Sequence, residues 1–510
     1  MPITQTILEV AARDPEQLAI VGAGGRLTYA ELVADSRRVF AAVDALHGAQ
    51  ADPPAPAPET GGIPITAVSI DSAFHTSRIV AGLAGFRAVS ATLDPRWPLA
   101  HRVSVILATG IGLVISDSDD LAPALAVRGW AGTVVSLAEF QEQEARLDPA
   151  PAPTVRDGGE AFLLLFSSGT TSDPKGFLKT RAQYRANVAV SSAYLEPLPG
   201  VATLAPGPVS YSLTLYALIE CLATGGAAHM ADAFDAVEMA RRVSEEGITR
   251  VVAVPALVQA LSDAARRDSV GGDIERFASL ELVVTGGANL SAALREGLAA
   301  VLPGVRLISY YGAAEIGFIG DSRGGDGTRI SVYDGIGFEI RSAEGVPVPD
   351  GELGTLWIDA AACSDGYLAG TTDEVLRGPD GWATVHDQGR IVEGKLELVG
   401  RAGDIAVTGG HKVALTEVER AFEGLPRITA VCAVALPHPR LGSVVALVVE
   451  GPTDVVPPKD ALRLLAKERL APQFVPRQWY RIDALPRTVG GKIRRAETVA
   501  LVESGGGERL

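Results

Sequence analysis

The sequence predicts an α/β fold with a large N-terminal domain and a smaller α+β C-terminal domain. Three observations predict it. Short apolar runs alternate with helix-like segments in the first part of the chain. After about residue 330, alternating strand patterns joined by glycine turns replace them. The chain has 510 residues, which is more than one hydrophobic core usually serves, so at least two domains are expected.

The N-terminal part is predicted to contain α/β subdomains with parallel strands. The runs ITAVSI, AVSATL and IGLVIS are typical of short buried strands, and a helix-like segment at 76–86 separates the first from the second. Segments 48–62 and 148–159 are rich in Pro, Ala and Gly, so we predict a loop and a linker there. Further along, RVVAVP, LELVVTGG and VRLISYYG are predicted strands near helical stretches such as 236–247 and 291–302.

A β-rich subdomain is predicted next, because ISVYDGIGFEIRS, GELGTLWID and KLELVGRAGD have the pattern of antiparallel strands with glycine turns. A compact α+β pattern follows, with helix TEVERAFEG, strands ITAVCAVAL and GSVVALVVEG, and helix KDALRLLAKERL. We expect the large N-terminal domain to span 1–399, a hinge to lie at 400–404, and the small C-terminal domain to span 405–510.

Composition excludes several classes of protein. Acidic residues outnumber basic ones, 61 to 45, and the net charge of -16 argues against nucleic acid or an anionic membrane as the main partner. The cysteines Cys221, Cys363 and Cys432 are widely spaced and form no CxxC pattern, so neither a disulfide framework nor a zinc site is predicted. No apolar run reaches the roughly 18 residues of a membrane helix. No signal peptide is evident either, so we expect no membrane span and a cytoplasmic location.

One stretch carries an unusual combination of residues. In LLLFSSGTTSDPKGFLKT, at 163–180, an apolar strand runs into hydroxyl residues, two glycines and a lysine. Glycine lets backbone N–H groups converge, hydroxyls donate hydrogen bonds and lysine adds positive charge, so the stretch suits a phosphate group. An ordinary polar turn after a strand is the alternative.

Known lysine motifs fit this stretch poorly. A Walker A loop places Gly-Lys-Ser/Thr together, whereas Lys175 follows Pro174 and precedes Gly176. The S-x-x-K motif of acyl-enzymes, here Ser172 to Lys175, needs a helical turn that Pro174 resists. The dinucleotide fingerprint G-x-G-x-x-G is absent.

The stretch SSGTTSDPKG resembles the phosphate loop T-S-G-T-T-G-x-P-K-G of the adenylate-forming superfamily. That superfamily contains acyl- and aryl-CoA synthetases, adenylation domains of peptide synthetases and beetle luciferases. Four more stretches resemble its motifs in the same order: YYGAAE, HDQG, GRAGDIAVTGGHKVALTEVE and LPRTVGGKIRR. The resemblance covers nearly the whole chain.

The resemblance implies a reaction in two steps. A carboxylate attacks the α-phosphate of MgATP to give acyl-AMP and pyrophosphate, and a nucleophile then takes the acyl group while the small, mobile C-terminal domain rotates. Lys492 is the implied catalytic cation, because the attacking acid and the α-phosphate are both negative. Glu315 is implied to be catalytic as the Mg²⁺ ligand. The residues implied to bind ATP are Ser167, Ser168, Gly169, Thr170, Thr171, Lys175, Tyr311, Asp387 and Arg401.

Four positions depart from the superfamily pattern. Ser172 and His386 replace glycines, Ala314 replaces a threonine whose hydroxyl would bond the α-phosphate, and Gly403 stands in the hinge. For His386 we expect a packing or surface position rather than a catalytic role.

The resemblance also implies an acid pocket. Segment 207–226 corresponds to the acyl-pocket helix, and no Asp between 207 and 219 is available to hold a substrate ammonium group. An α-amino acid is therefore disfavoured, and an apolar aryl or acyl carboxylic acid is expected. The implied pocket residues are Tyr211, Gly286, Gly287, Ala288 and Gly312.

The acceptor of the acyl group stays open between two classes. A thiol such as CoA is the commonest acceptor in the superfamily, whereas some stand-alone relatives are amide-bond synthetases that use an amine. A catalytically degenerate nucleotide-binding paralogue is a further alternative. The intact residues Lys175, Glu315, Asp387, Arg401 and Lys492 argue against that alternative.

Overall fold

The structure is a computed structural model that describes residues 3–167, 174–233, 235–271, 274–287, 290–325, 327–408, 411–425, 427–438, 441–470, 474–488 and 491–510. Its α-helices are α1 (Thr4–Arg13), α2 (Tyr29–Gly48), α3 (Ala73–Leu83), α4 (Leu99–Thr109), α5 (Leu121–Val127), α6 (Leu137–Arg146), α7 (Arg181–Tyr194), α8 (Ser212–Thr224), α9 (Ala236–Glu245), α10 (Pro255–Gly271), α11 (Ala292–Val301), α12 (Leu415–Arg420), α13 (Lys459–Arg469) and α14 (Arg495–Glu503).

The strands of the described chain form three sheets. They are β1 (Leu18–Gly22), β2 (Gly25–Thr28), β3 (Ile65–Ser69), β4 (Val89–Thr92), β5 (Leu113–Ser116), β6 (Thr133–Val135), β7 (Ala161–Phe166), β8 (Gly176–Thr180), β9 (Ala202–Ala205), β10 (Ala227–Met230), β11 (Arg250–Ala253), β12 (Leu282–Thr285), β13 (Arg306–Ala313), β14 (Gly317–Ser322), β15 (Arg329–Val332), β16 (Gly337–Arg341), β17 (Gly354–Asp359), β18 (Asp387–Val392), β19 (Lys395–Arg401), β20 (Ile405–Thr408), β21 (His411–Ala414), β22 (Ala430–His438), β23 (Gly442–Glu450), β24 (Gln478–Ile482) and β25 (Glu508–Arg509).

The sheet that carries the phosphate-loop candidate has six strands in the order β6-β5-β3-β4-β7-β8. Its strands β3 to β7 pair in parallel, and β8 returns antiparallel to β7. Strands β3, β4 and β5 are buried along their whole length, as expected of parallel strands covered on both faces. The predicted runs ITAVSI, AVSATL and IGLVIS are confirmed as these three strands.

A sheet of thirteen strands joins the rest of the large domain, in the order β16-β17-β18-β19-β15-β14-β13-β12-β11-β9-β10-β1-β2. Strands β1 and β9 to β13 pair in parallel with their neighbours in this group. From β13 the sheet continues through β14, β15, β19, β18 and β17 to β16, and all of these pairs are antiparallel. The β-rich part is therefore an extension of the parallel sheet through β13 and β14.

The third sheet belongs to the C-terminal part, with the order β21-β20-β23-β24-β25 and β22 paired to β23. Its own core contains Trp479 and Phe422, both about 1% exposed, and Leu462 from α13. The predicted α/β fold with a large N-terminal domain and a separate small α+β domain is confirmed. The limits 1–399, 400–404 and 405–510 and the mobility of the small domain stay predictions.

Local hydrogen bonds fix the exit from the β7–β8 hairpin. The Thr180 hydroxyl accepts from the backbone N–H of Gln183 (3.2 Å), and the Gln183 side chain accepts from the N–H of Thr180 (2.9 Å). This capping box starts α7 directly after β8 and sets the direction in which the chain leaves the hairpin.

The cysteines and the helices concern the predictions of no disulfide framework and no membrane span. Cys221, Cys363 and Cys432 are buried and unpaired, as expected of small core residues. Within the described ranges, no helix combines the length and the apolar character needed to cross a membrane.

Candidate active site

The phosphate-loop candidate connects β7 to β8. The ladder ends with Phe166 opposite Gly176, and the N–H of Ser167 donates to the carbonyl of Lys175 (3.0 Å), which closes the base of the loop. The Ser167 hydroxyl is buried and has no partner in the described part of the chain. The other predicted loop residues lie outside the described residues: Ser168, Gly169, Thr170 and Thr171, together with the substituted Ser172.

Lys175 contacts two side chains that motif analysis did not single out. Its ammonium lies 2.5 Å from Oε2 of Glu374 and 5.5 Å from the centre of the Tyr367 ring. The Lys175 side chain is 20% exposed and that of Glu374 is 46% exposed, so the ion pair stands at the protein surface. A phosphate group that binds Lys175 has to compete with the Glu374 carboxylate.

Glu315 lies at the turn between β13 and β14 and is 6% exposed. The Tyr367 hydroxyl donates to its Oε1 (3.0 Å). The backbone carbonyl of Glu315 accepts from the N–H of Ser364 (2.8 Å) and from the ammonium of Lys179 (2.7 Å). A buried carboxylate held at one oxygen and fixed through its backbone has its second oxygen in a defined direction.

Lys179 is a buried cation that links β8 to the surroundings of Glu315. It is 1% exposed, and its ammonium donates to the carbonyls of Glu315 and Ala362, both at 2.7 Å. Burial lowers the pKa of Lys179 to about 8, while Glu315 acts in the opposite direction. A lysine inside the apolar run GFLKT is the sequence signal for it, because lysine is almost never fully buried without partners.

Tyr311, Asp387 and Arg401 come together on three strands of the large sheet. The Tyr311 hydroxyl donates to Oδ2 of Asp387 (2.6 Å), and Nε of Arg401 donates to Oδ1 (3.1 Å). Asp387 and Arg401 are directly opposite each other in the β18–β19 pair. Burial, followed by the charge of Asp387, raises the pKa of Tyr311 well above its usual value, so Tyr311 stays a donor.

The carboxylate of Asp387 keeps acceptor capacity after these two bonds. A carboxylate offers about four lone-pair sites, of which Tyr311 and Arg401 use one each. The remaining sites match the two hydroxyl groups of a ribose. The charge of Glu315 also acts on Tyr311 and Arg401. Glu315 therefore belongs to the same region as Asp387 and its two partners.

Lys492 approaches this region from the small domain. The N–H of Thr488 donates to the carbonyl of Lys492 (2.7 Å), and the N–H of Lys492 donates to the hydroxyl of Thr488 (3.1 Å). Lys492 itself is exposed. Desolvation and then the charge of Arg401 lower its pKa, against Asp404 and Asp387. The charges of Arg401 and Asp387 thus act on the Lys492 ammonium. Gly490 of the same sequence motif is outside the described residues.

His386, the neighbour of Asp387, adopts a backbone angle that usually belongs to glycine. Its φ is +63°, in the left-handed region. The side chain is 51% exposed, and Nε2 lies 3.9 Å from Oε2 of Glu374. The surface position expected for His386 agrees with this exposure, and the left-handed backbone suits the glycine of the superfamily pattern that this stretch resembles.

The predicted acid-pocket residues contact different neighbours. Tyr211 precedes α8, and the guanidinium of Arg96 lies 5.8 Å from its ring centre. A Cβ on Gly286 would lie 2.4 Å from the ring of Tyr310, and one on Gly312 would lie 2.5 Å from the carbonyl of Gly317. Both glycines thus permit close packing.

Two predicted pocket residues, Gly287 and Ala288, and one substituted position, Ala314, remain. Gly287 adopts a φ of +82°, and Ala288 lies outside the described residues. The carbonyl of Ala314 accepts from the hydroxyl of Tyr216 on α8 (2.9 Å), a contact that the motifs did not indicate.

The donor set fits a nucleotide with a magnesium ion. The Ser167 hydroxyl, which has no partner among the described residues, and the ammonium of Lys175 suit phosphate oxygens. Mg²⁺ commonly takes one or two carboxylates and completes its shell with substrate phosphates and water. The buried carboxylate of Glu315 together with phosphate oxygens would fit such an ion. In the described chain no cluster of three or more His, Cys, Asp or Glu side chains could hold a metal.

Comparison with known proteins gives two family matches. The description "AMP-binding enzyme" matches residues 7–368, and "AMP-binding enzyme C-terminal domain" matches residues 417–492. An uncharacterized acyl–CoA ligase, YhfT of Bacillus subtilis (strain 168), is 24% identical over 517 residues, which cover 99% of each protein. Three other curated relatives are much longer proteins, of which the chain covers 18% to 41%.

Solved structures share the fold across the whole chain. ATP-bound MatB from Rhodopseudomonas palustris has a TM-score of 0.85 and 20% identity, with 98% of this chain and 99% of that chain covered. The amide bond synthetase McbA from Marinactinospora thermotolerans has a TM-score of 0.83 and 22% identity, with the same coverage.

Proposed function

The chain belongs to the AMP-binding enzyme family, an ATP-dependent group of acid-adenylating ligases, and from that premise we propose its substrates and the roles of its residues. The acid is an apolar aryl or acyl carboxylic acid, activated as acyl-AMP with release of pyrophosphate. The acyl group then passes to a thiol such as CoA. No nucleic acid or membrane partner is required, and we propose a cytoplasmic location.

Adenylation forms one bond and breaks another. An oxygen of the substrate carboxylate attacks the α-phosphorus of ATP, the bond from that phosphorus to the bridging oxygen breaks, and pyrophosphate leaves with the electron pair. Lys175 and the loop hydroxyls, including Ser167, bind the β- and γ-phosphates and stabilise the departing pyrophosphate. Glu315 would hold Mg²⁺, which would supply further positive charge at the phosphates.

The nucleoside is held by a different set of residues. Asp387 accepts the ribose hydroxyls, oriented by Tyr311 and Arg401. Lys492 places its ammonium between the acid and the α-phosphate, where negative charge concentrates in the transition state. In the second step the acceptor sulfur attacks the acyl carbon, the bond from that carbon to the AMP oxygen breaks, and the thiol proton passes to solvent.

The observation that carries this proposal is the convergence around Asp387. Tyr311, Arg401 and Asp387 belong to three different sequence motifs, yet they form one hydrogen-bonded group. Lys492, from a fourth motif, interacts electrostatically with two members of that group. An arrangement of this kind supports a shared site for nucleotide and acid, whereas an ordinary solvated lysine would need no such neighbours.

A panel of acids tests the proposal by ATP–pyrophosphate exchange. We expect exchange that depends on an apolar acid and on Mg²⁺, and Lys492→Ala should lower its rate by roughly 10²–10³-fold. Lys467→Ala, a change in the last turn of α13, is the matched control. No exchange with any acid would refute the proposed activity, and a near-wild-type rate in Lys492→Ala would remove that lysine from it.

The acceptor is identified by a competition experiment. CoA and a set of simple amines are supplied together with the best acid, and the products are separated by mass spectrometry. A thioester as the main product supports the proposed thiol acceptor. An amide as the main product would instead assign the chain to the amide-bond synthetases.

A further inference from the structure

The connection between β17 and β18 runs beside the exit of the phosphate loop. Phe177 pairs with Tyr367 in an antiparallel bridge, and the N–H of Leu368 donates to the carbonyl of Gly176 (2.8 Å). The N–H of Gly176 in turn donates to the hydroxyl of Thr371 (3.1 Å). The backbone of this connection is therefore attached to the residue that directly follows Lys175.

Tyr367 touches two groups of the proposed ATP site with different parts of its side chain. The hydroxyl donates to Oε1 of Glu315 at 3.0 Å. The face of the ring lies 5.5 Å from the ammonium of Lys175, within the range of a cation–π contact. No sequence motif singled this residue out.

We propose that Tyr367 is a positioning residue that sets the spacing between Lys175 and Glu315. The inference rests on the proposed function, because it takes Lys175 to bind phosphate and Glu315 to bind Mg²⁺. The hydroxyl donates to one oxygen of Glu315, which would leave the other oxygen to hold the metal, as partners of a metal-binding carboxylate do. The ring gives the stem of Lys175 a fixed surface along which to reach the phosphates.

The two contacts can be separated by substitution. Tyr367→Phe removes the hydroxyl and keeps the ring, so only the bond to Glu315 is lost. Tyr367→Leu removes the ring as well, so both contacts are lost. Tyr194→Phe is the matched control, because among the described residues the hydroxyl of Tyr194 accepts a backbone N–H, from Asp334 (3.2 Å), and contacts neither Glu315 nor Lys175.

ATP affinity is measured by calorimetry on the full chain, once with EDTA and once with saturating Mg²⁺. We expect Tyr367→Phe to reduce the Mg²⁺-dependent gain in ATP affinity by about tenfold, with metal-free binding unchanged. We expect Tyr367→Leu to weaken metal-free ATP binding as well, by about two- to fivefold. Tyr367→Phe keeps the ring, so its metal-free ATP binding should equal that of the wild type. Tyr194→Phe should match the wild type in both conditions.

A double variant identifies the route of the effect. In a Glu315→Gln background, Tyr367→Phe should cause no further loss, because the carboxylate through which Tyr367 acts has gone. Additive losses, or an unchanged Mg²⁺ dependence in Tyr367→Phe, would overturn the inference. Thermal unfolding of each variant shows that a loss of binding is not a loss of folding.

This test and the test of the proposed function fail in different ways. Acid-dependent pyrophosphate exchange by the unaltered chain, on the same preparation, addresses the proposed function. Exchange together with an unaffected Tyr367→Phe refutes only the positioning role. The expected binding pattern without exchange by any acid counts against the proposed activity and leaves the spacing role supported.

Discussion

Replacing Tyr311 with phenylalanine should weaken the binding of ATP while leaving the chemical step nearly intact. The variant loses one hydroxyl, which donates to Oδ2 of Asp387 at 2.6 Å. The Asp387 side chain is only 15% exposed, so water replaces the lost donor poorly. Asp387 keeps its bond to Arg401, but its orientation toward the ribose hydroxyls is then set by a single contact.

The magnitude follows from the kind of bond. A hydrogen bond to a charged group contributes about 1.5–3 kcal/mol, and the retained Arg401 contact places the loss near the lower end. A loss of about 1.4 kcal/mol corresponds to tenfold in affinity. Because Asp387 holds the ribose equally before and during the reaction, the KM for ATP should rise about tenfold with kcat nearly unchanged.

The assay is acid-dependent pyrophosphate exchange with ATP varied at saturating acid. Tyr310→Phe is the matched control, since successive side chains of β13 point to opposite faces and Tyr310 packs against Phe318, with ring centres 4.8 Å apart. Equal shifts in the two variants, or a rise below about twofold in Tyr311→Phe, would refute the assignment of Tyr311 and Asp387 to the ribose.

Three other substitutions test separate parts of the site. Glu374→Gln removes the ion pair with Lys175, and since exposed pairs contribute at most about 1 kcal/mol, the ATP concentration for half-maximal exchange should fall by up to about fivefold; a rise would show that the pair supports binding. In His386→Gly, the left-handed backbone no longer costs the roughly 1–2 kcal/mol that it costs a residue with a Cβ atom. Glycine in turn loses more backbone entropy on folding, at a cost of about 0.5–1 kcal/mol. Thermal stability should therefore hold or rise slightly with exchange preserved, whereas a tenfold loss in both His386→Gly and His386→Ala would give the imidazole a chemical role. Lys492→Arg tests the lowered pKa of Lys492. Pyrophosphate exchange needs the charged form of Lys492, so the exchange rate should begin to fall with rising pH below the ordinary lysine pKa of about 10.4. In Lys492→Arg this fall should shift to higher pH, at a lower overall rate. A fall at the same pH in both proteins would assign it to another group.

Local patterns predicted the strands of this fold better than their arrangement. The apolar runs that became β3, β4 and β5 carry the strand signal in their own residues. Pairing between β13, β14 and β15 depends on contacts across the sheet, so the sequence did not indicate that the β-rich part continues the parallel sheet.

The site shows the same division between local and long-range information. Ordered motifs singled out Tyr311, Asp387 and Arg401, and the structure joins them by hydrogen bonds. Tyr367 and Glu374 escaped notice because they lie in an irregular connection that meets Lys175 only after about 190 residues of chain. No spacing or periodicity encodes such a contact.

His386 illustrates a different gap. A histidine beside a carboxylate suggests chemistry, but its φ of +63° shows that the position is defined by its backbone. The sequence of one chain carries that information only indirectly, through the glycine that the resemblance places there.

The two carbonyls bound by Lys179 fasten the strand leaving the phosphate loop to the backbone beside Glu315. Separating the two segments would leave the buried Lys179 ammonium without its partners, at a high cost in free energy. We therefore expect the two segments to move together. In the proposed reaction, the distance between the strand that follows Lys175 and the Glu315 backbone would therefore stay the same in both half-reactions. The predicted rotation of the C-terminal domain, and not a change within this part of the site, would then distinguish the two half-reactions.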